Sequence, residues 1–157
     1  MGNRFFSILL SGCLLLLFST CTKEEDKDTE YPVIDVSGPD AYPKNCDTLQ
    51  RGETFTVKAV FTDNEELGAF SIDLHENFDH HTHSADIDEC NLDPIKDPVN
   101  PFQYIQSFTI PDGLREYSMS VDIFIPADVD PGDYHFMIRL TDKAGWQSLQ
   151  GLSIKVL

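Results

Sequence analysis

The chain has 157 residues and a formal net charge of −16, from 27 acidic against 11 basic side chains, with 41% hydrophobic residues and four cysteines. That length suits a single domain with a sizeable core once any leader is removed. The acidic balance repels nucleic acid and anionic membrane surfaces, which argues against nucleic-acid partners.

Residues 1–20 open on Met1-Gly2-Asn3-Arg4, continue as an apolar run over residues 5–18 and close on Ser19-Thr20 ahead of Cys21. The run is shorter than the roughly 20 apolar residues a spanning helix needs. Its small-residue end before a cysteine predicts a lipoprotein signal peptide. Two cysteines compete for the lipid. Leu10-Ser11-Gly12-Cys13 is closer to the bacterial lipobox, but cleavage there leaves too short an apolar core and a mature chain starting on Leu14. Cys21 is therefore the preferred lipidation site. The following Thr22-Lys23-Glu24-Glu25-Asp26 resembles the Lys-plus-acidic export tag of Bacteroidota outer-membrane lipoproteins, which implies display at the cell surface. Residues 21–30 are expected to form a lipidated flexible tether, since residues 22–30 contain nothing apolar to bury. Loss of Arg4 with the leader takes the charge to −16 − 1 = −17.

Residues 31–157 make the predicted domain. Period-two alternation punctuated by Pro, Gly, Asn and Asp marks strands at residues 32–36, 54–62, 69–75, 104–110, 117–125, 134–141 and 149–156. About seven strands in a chain of this size predict an all-β, immunoglobulin-like two-sheet sandwich. Residues 76–103 exceed an ordinary connection and form a long insertion after the third strand, of the kind that is usually functional or disordered. With Cys13 removed and Cys21 lipidated, Cys46 and Cys90 remain as a pair in an exported, disulfide-permissive chain. Their bridge closes a loop containing most of the histidines and adds about 4 kcal/mol by the chain-entropy argument. Pro131-Gly132-Asp133-Tyr134 leads into the sixth strand and places Tyr134 as a tyrosine corner. Residues 141–146 read as the last hairpin, with Gly145 supplying backbone freedom.

Four of the five histidines, His75, His80, His81 and His83, fall within nine residues. Imidazole is the commonest protein ligand for transition metals. Alternation turns Phe70, Ile72 and Leu74 inward and Ser71, Asp73 and His75 outward; in the sixth strand it turns His135, Met137 and Arg139 outward. The third and sixth strands of such a sandwich are antiparallel neighbours, so His75 and His135 should meet on one outer face. His75, His81, His83 and His135 are the first candidate metal ligands, with His80 and Asp79 behind them, for Zn²⁺ or Cu²⁺. An acidic, histidine-rich loop is equally the composition of a solvated surface.

Other chemistry finds little support. His75-Glu76 lacks the second histidine four residues on that a zinc-protease helix requires. Asp86-Ile87-Asp88 and Asp128-Val129-Asp130 have fragments of calcium-loop spacing without its glycine, and the second reads more simply as a turn. No nucleotide loop or nucleophile elbow is present, and no catalytic residues are expected.

Pro43-Lys44-Asn45-Cys46, the block from His75 to His83, Glu89-Cys90, Asp97-Pro98-Val99-Asn100-Pro101-Phe102 and Pro131-Gly132-Asp133-Tyr134-His135-Phe136 resemble a family of Bacteroidota lipoproteins classed as a domain of unknown function. The resemblance covers the whole mature domain and implies an immunoglobulin-like fold and surface placement. It carries over no catalytic residues. Two functions compete at this point. One is a surface-anchored lipoprotein that binds a divalent transition metal through the histidine cluster. The other is an adhesion or binding module that presents the insertion to an outer-membrane protein or glycan, with Phe78, Phe102 and Tyr104 either contacting the partner or pinning the loop.

Overall fold

The computed structural model describes residues 27–82 and 90–157. The expected signal peptide, Cys21, most of the tether, His83, Asp86, Asp88 and Glu89 lie outside the described residues. Two β-sheets pack face to face. One contains β1 (Val33–Asp35), β3 (Thr54–Thr62) and β6 (Glu116–Phe124), in the order β1-β3-β6. The other contains β2 (Thr48–Leu49), β8 (Gln147–Val156), β7 (Gly132–Asp142), β4 (Leu67–Glu76) and β5 (Tyr104–Thr109), in that order. All strand pairs are antiparallel except β2 with β8.

This partition is an immunoglobulin-like sandwich. The first, second and fifth main strands form one sheet, while the third, sixth and seventh form the other. The fourth main strand, β5, joins β4 instead of crossing to β6, which widens the second sheet. The seven expected strands are all present with ends shifted by one or two residues. The eighth, β2, is a two-residue parallel pairing too short to leave an alternation signal.

The alternation that predicted the strands also builds the core. Val57, Ala59 and Phe61 from β3 and Met119 and Ile123 from β6 meet Ile72 and Leu74 from β4 and Phe136, Ile138 and Leu140 from β7. Phe61 and Phe70 cross between sheets with ring centroids 5.2 Å apart. Burial of side chains this large contributes about 1.5–3 kcal/mol each. At Gly68, where the β4 register shifts, a Cβ would lie 2.8 Å from the Asp142 carbonyl oxygen and 2.9 Å from that of Thr141. Only glycine lets the two backbones approach so closely.

Tyr134 is the expected tyrosine corner. Its hydroxyl donates to the Asp130 carbonyl at 2.7 Å and accepts from the Phe102 amide at 3.2 Å. Gly145 has φ 98° in the β7–β8 turn, where the Asp142 amide donates to the Trp146 carbonyl. The Cys46–Cys90 disulfide is present, with a Cα–Cα separation of 5.5 Å. Contacts of the domain reach back to Asp28, whose carbonyl accepts from the Trp146 indole, so this residue of the expected tether packs on the domain.

The described half of the insertion is held residue by residue. The Asp93 amide donates to Asp133 Oδ2, Lys155 pairs with Asp93 at 2.7 Å, and the Val99 and Asn100 amides both donate to Asp130 Oδ2 at 2.7 Å. Phe78 is buried edge-on against Tyr134, and Phe102 is buried above the corner it helps to satisfy.

Candidate functional site

Strand alternation leaves the outer face of the five-stranded sheet to Ser71, Asp73 and His75 on β4 and to His135, Met137 and Arg139 on β7. Ser71 and Leu149 flank Arg139 in register from the two neighbouring strands. Together with Ile105 from the edge strand β5, these side chains line a groove of about 290 Å³ that runs from Arg139 to His75. Met137 is its buried floor; Ile105, 74% exposed, and Leu149 are its apolar sides.

Arg139 is exposed at this groove. Among the described residues the Lys and Arg side chains paired with carboxylates are Arg115, Lys143 and Lys155, and Arg139 is not one of them. Asp73, the carboxylate of the groove, is engaged by His75, whose Nδ1 donates to Asp73 Oδ1 at 2.8 Å. The guanidinium therefore presents its donor fork to solvent beside an apolar strip, in a protein whose surface is otherwise strongly acidic.

At the far end of the groove three imidazoles of the described residues come together. His75 and His135 are cross-strand partners, as alternation predicts, with ring centroids 5.6 Å apart. His81 stacks on His75 at 5.6 Å and meets His135 edge-on at 5.0 Å. Asp79 accepts from His81 Nδ1 at 2.5 Å, and this hydrogen bond holds the Asp79 carboxyl below its ordinary 3.8. His135 Nε2 donates to the His81 carbonyl at 3.0 Å, which fixes its tautomer. Asp73 and Asp79 thus stand behind His75 and His81, where a carboxylate orients an imidazole.

Two expectations about these residues change in detail. His135 lies on the outer face but is only 1% exposed, because the insertion returns over it. His80 does not face the other rings through its Nε2, which donates to the Asp93 carbonyl at 2.9 Å and so ties the two halves of the insertion. His83, ranked with the first ligands, is outside the described residues.

A family model for the "Domain of unknown function (DUF4625)" matches residues 19–157. The chain belongs to this family. None of the curated proteins matches the sequence. Among solved structures, the DUF4625 chain is similar to a GspB Siglec domain, at 19% identity and a TM-score of 0.43, over 83% of this chain and 59% of that one. It is also similar to Spo0M, a sporulation control protein from Bacillus subtilis, at 11% identity and a TM-score of 0.39, over 80% of this chain and 48% of the other. The chain thus spans less than two thirds of either.

Several polar residues of the DUF4625 domain turn out differently from their sequence reading. Asp130, in the fragment of calcium-loop spacing, clasps the insertion: the Val99 and Asn100 amides lower its pKa from 3.8. Phe78 and Phe102 pin the loop, while Leu92, Ile95 and Val99 are the large apolar residues that the insertion exposes among its described residues. The sequence reading missed Arg139 as a site residue. It also missed three aspartates, Asp28, Asp63 and Asp142, that gather at the opposite end of the sandwich. Alternation marks Arg139 as outward-facing but gives no sign that it lacks a carboxylate partner.

Proposed function

We propose that this domain is a non-catalytic binding module that receives an acidic glycan in the groove around Arg139. Arg139 is the observation that carries the reading. A planar guanidinium makes bidentate hydrogen bonds to a carboxylate, and this one is exposed and uncommitted among the described residues. Ile105, Leu149 and Met137 supply an apolar strip for the face of a sugar ring, and Ser71 a hydroxyl beside it. A groove of about 290 Å³ suits one sugar residue and its acidic group.

The test applies the full chain in detergent to immobilised acidic and neutral oligosaccharides. Acidic ligands should be retained over neutral ones; Arg139→Ala should weaken retention at least about tenfold, the worth of one charge-assisted contact. Arg139→Lys should recover only part, because the bidentate fork is gone. Equal retention of acidic and neutral sugars, or no effect of Arg139→Ala, overturns the proposal.

Display of the module from the outer membrane through lipidated Cys21 belongs to the same reading, supported by the leader and the acidic tag that follows it. Metabolic labelling with a palmitate analogue should be lost in Cys21→Ser and kept in Cys13→Ser; the reverse pattern assigns the anchor to Cys13.

A second reading, divalent transition-metal binding, is favoured by the meeting of His75, His81 and His135 with carboxylates behind two of them. Zn²⁺ or Cu²⁺ titrated into metal-stripped protein should bind at about micromolar affinity or tighter and lose most of it in His81→Ala and His135→Ala. Weaker binding, or unchanged affinity in those variants, removes this reading. His75 lines both the groove and the cluster, so chelation separates the two: sugar retention that survives it belongs to Arg139 alone.

A further inference from the structure

At the end of the sandwich opposite the histidines, three separate segments each contribute one aspartate: Asp28 before β1, Asp63 just after β3 and Asp142 at the end of β7. One oxygen from each lies within 4.8 Å of the other two. The three carboxylates share a pattern of commitment. Asp28 Oδ1 accepts from the Glu30 amide and the Asn64 side chain, Asp63 Oδ2 from the Glu65 and Glu66 amides, and Asp142 Oδ1 from the Gly145 and Trp146 amides. The other oxygen of each, Asp28 Oδ2, Asp63 Oδ1 and Asp142 Oδ2, is shielded from solvent and has no hydrogen-bond partner. Asp142 is 4% exposed.

A buried carboxylate oxygen without a donor is costly, and three turned toward one point repel one another as well. The nearby cations do not relieve this. Lys143 Nζ is paired with Asp112 at 2.5 Å and Arg115 with Glu65 at 3.5 Å. We infer that Asp28, Asp63 and Asp142 form a binding site for a calcium ion that fastens the entry of the chain to the end of the sandwich. The donors are all oxygens, the choice of a hard cation over zinc or copper. With calcium–oxygen distances of about 2.3–2.6 Å, two ligands of one ion lie at most about 5 Å apart, so three oxygens within 4.8 Å of one another can share one ion. Water and carbonyl oxygens complete a shell of six to eight. The ion would tie Asp28 to two loops that already hold it through the Asn64 and Trp146 side chains.

The test uses the full chain in detergent, stripped with EGTA and titrated with Ca²⁺ by calorimetry and by thermal melting. Wild type should bind Ca²⁺ with a Kd of about 1 mM or tighter and melt higher when loaded. Asp142→Asn keeps Oδ1 for the Gly145 and Trp146 amides and places an amide NH₂ where Oδ2 points. It should therefore melt above wild type in EGTA, lose at least tenfold in Ca²⁺ affinity and show little further rise with the ion. Asp28→Asn, at a half-buried position, should show the same crossover to a smaller degree. His75→Ala should leave Ca²⁺ binding unchanged. An identical Ca²⁺ response in wild type and Asp142→Asn, or none in either, overturns the assignment.

Discussion

Tyr134 and His135 are consecutive yet serve opposite faces of β7, one closing the corner beneath Phe102 and the other lying under the insertion. Burial pushes the Tyr134 phenol above its ordinary 10.0, so it stays a neutral donor throughout the working range. Tyr134→Phe strands the Asp130 carbonyl and the Phe102 amide. It should cost about 1–3 kcal/mol, read as a lower urea midpoint at unchanged slope. The sequence exposed this role because a Pro-Gly-Asp-Tyr start to an alternating strand has one structural use here. Arg139 was half legible: its position on β7 gives its direction, but whether a carboxylate waits opposite depends on the register of β4 and β8, which places Ser71 and Leu149 there.

The insertion behaves as an element in its own right: among its described residues there is no repeating structure between Asn77 and β5, and side chains fasten it at short intervals. Its disulfide spans 44 positions. Cys46→Ser with Cys90→Ser should lower stability by up to about 4 kcal/mol and speed hydrogen exchange over residues 90–103 more than in β3. Asp130 adds a pH dependence. Its carboxyl titrates below 3.8 in the folded chain, held there first by the Val99 amide and then by that of Asn100. A depressed carboxyl contributes stability that is present above the unfolded value and is lost as pH falls through the folded one. As pH falls below 3.8 and through the folded value, the 90–103 segment should therefore lose protection, and Asp130→Asn should show less of that loss. The length of the connection and its prolines marked it as special, and Cys90 predicted order. What sequence could not show was which aromatics faced in, because outside a strand there is no period from which to read a face.

Across the whole molecule, the ten residues of β4 separate the histidine end from the aspartate end by about 30 Å, at roughly 3.3 Å per residue. With no shared partner over that distance, the two ends should act independently. Affinity for an acidic sugar should change by less than about twofold between Ca²⁺-loaded and EGTA-treated protein. Fold class, the positions of the main strands and the His75–His135 pairing were readable because each rests on local alternation or on the topology of a common sandwich. Asp28, Asp63 and Asp142 were not, since they lie far apart in the chain and share no motif; only the closed fold gathers them. The most direct test of the module itself is amide chemical-shift mapping of the isotopically labelled chain with a retained acidic oligosaccharide. Shifts centred on Ser71, Ile105, Met137, Arg139 and Leu149 are the expected result, and shifts confined to residues 90–103 or to β3 and β6 would contradict the groove as the binding surface.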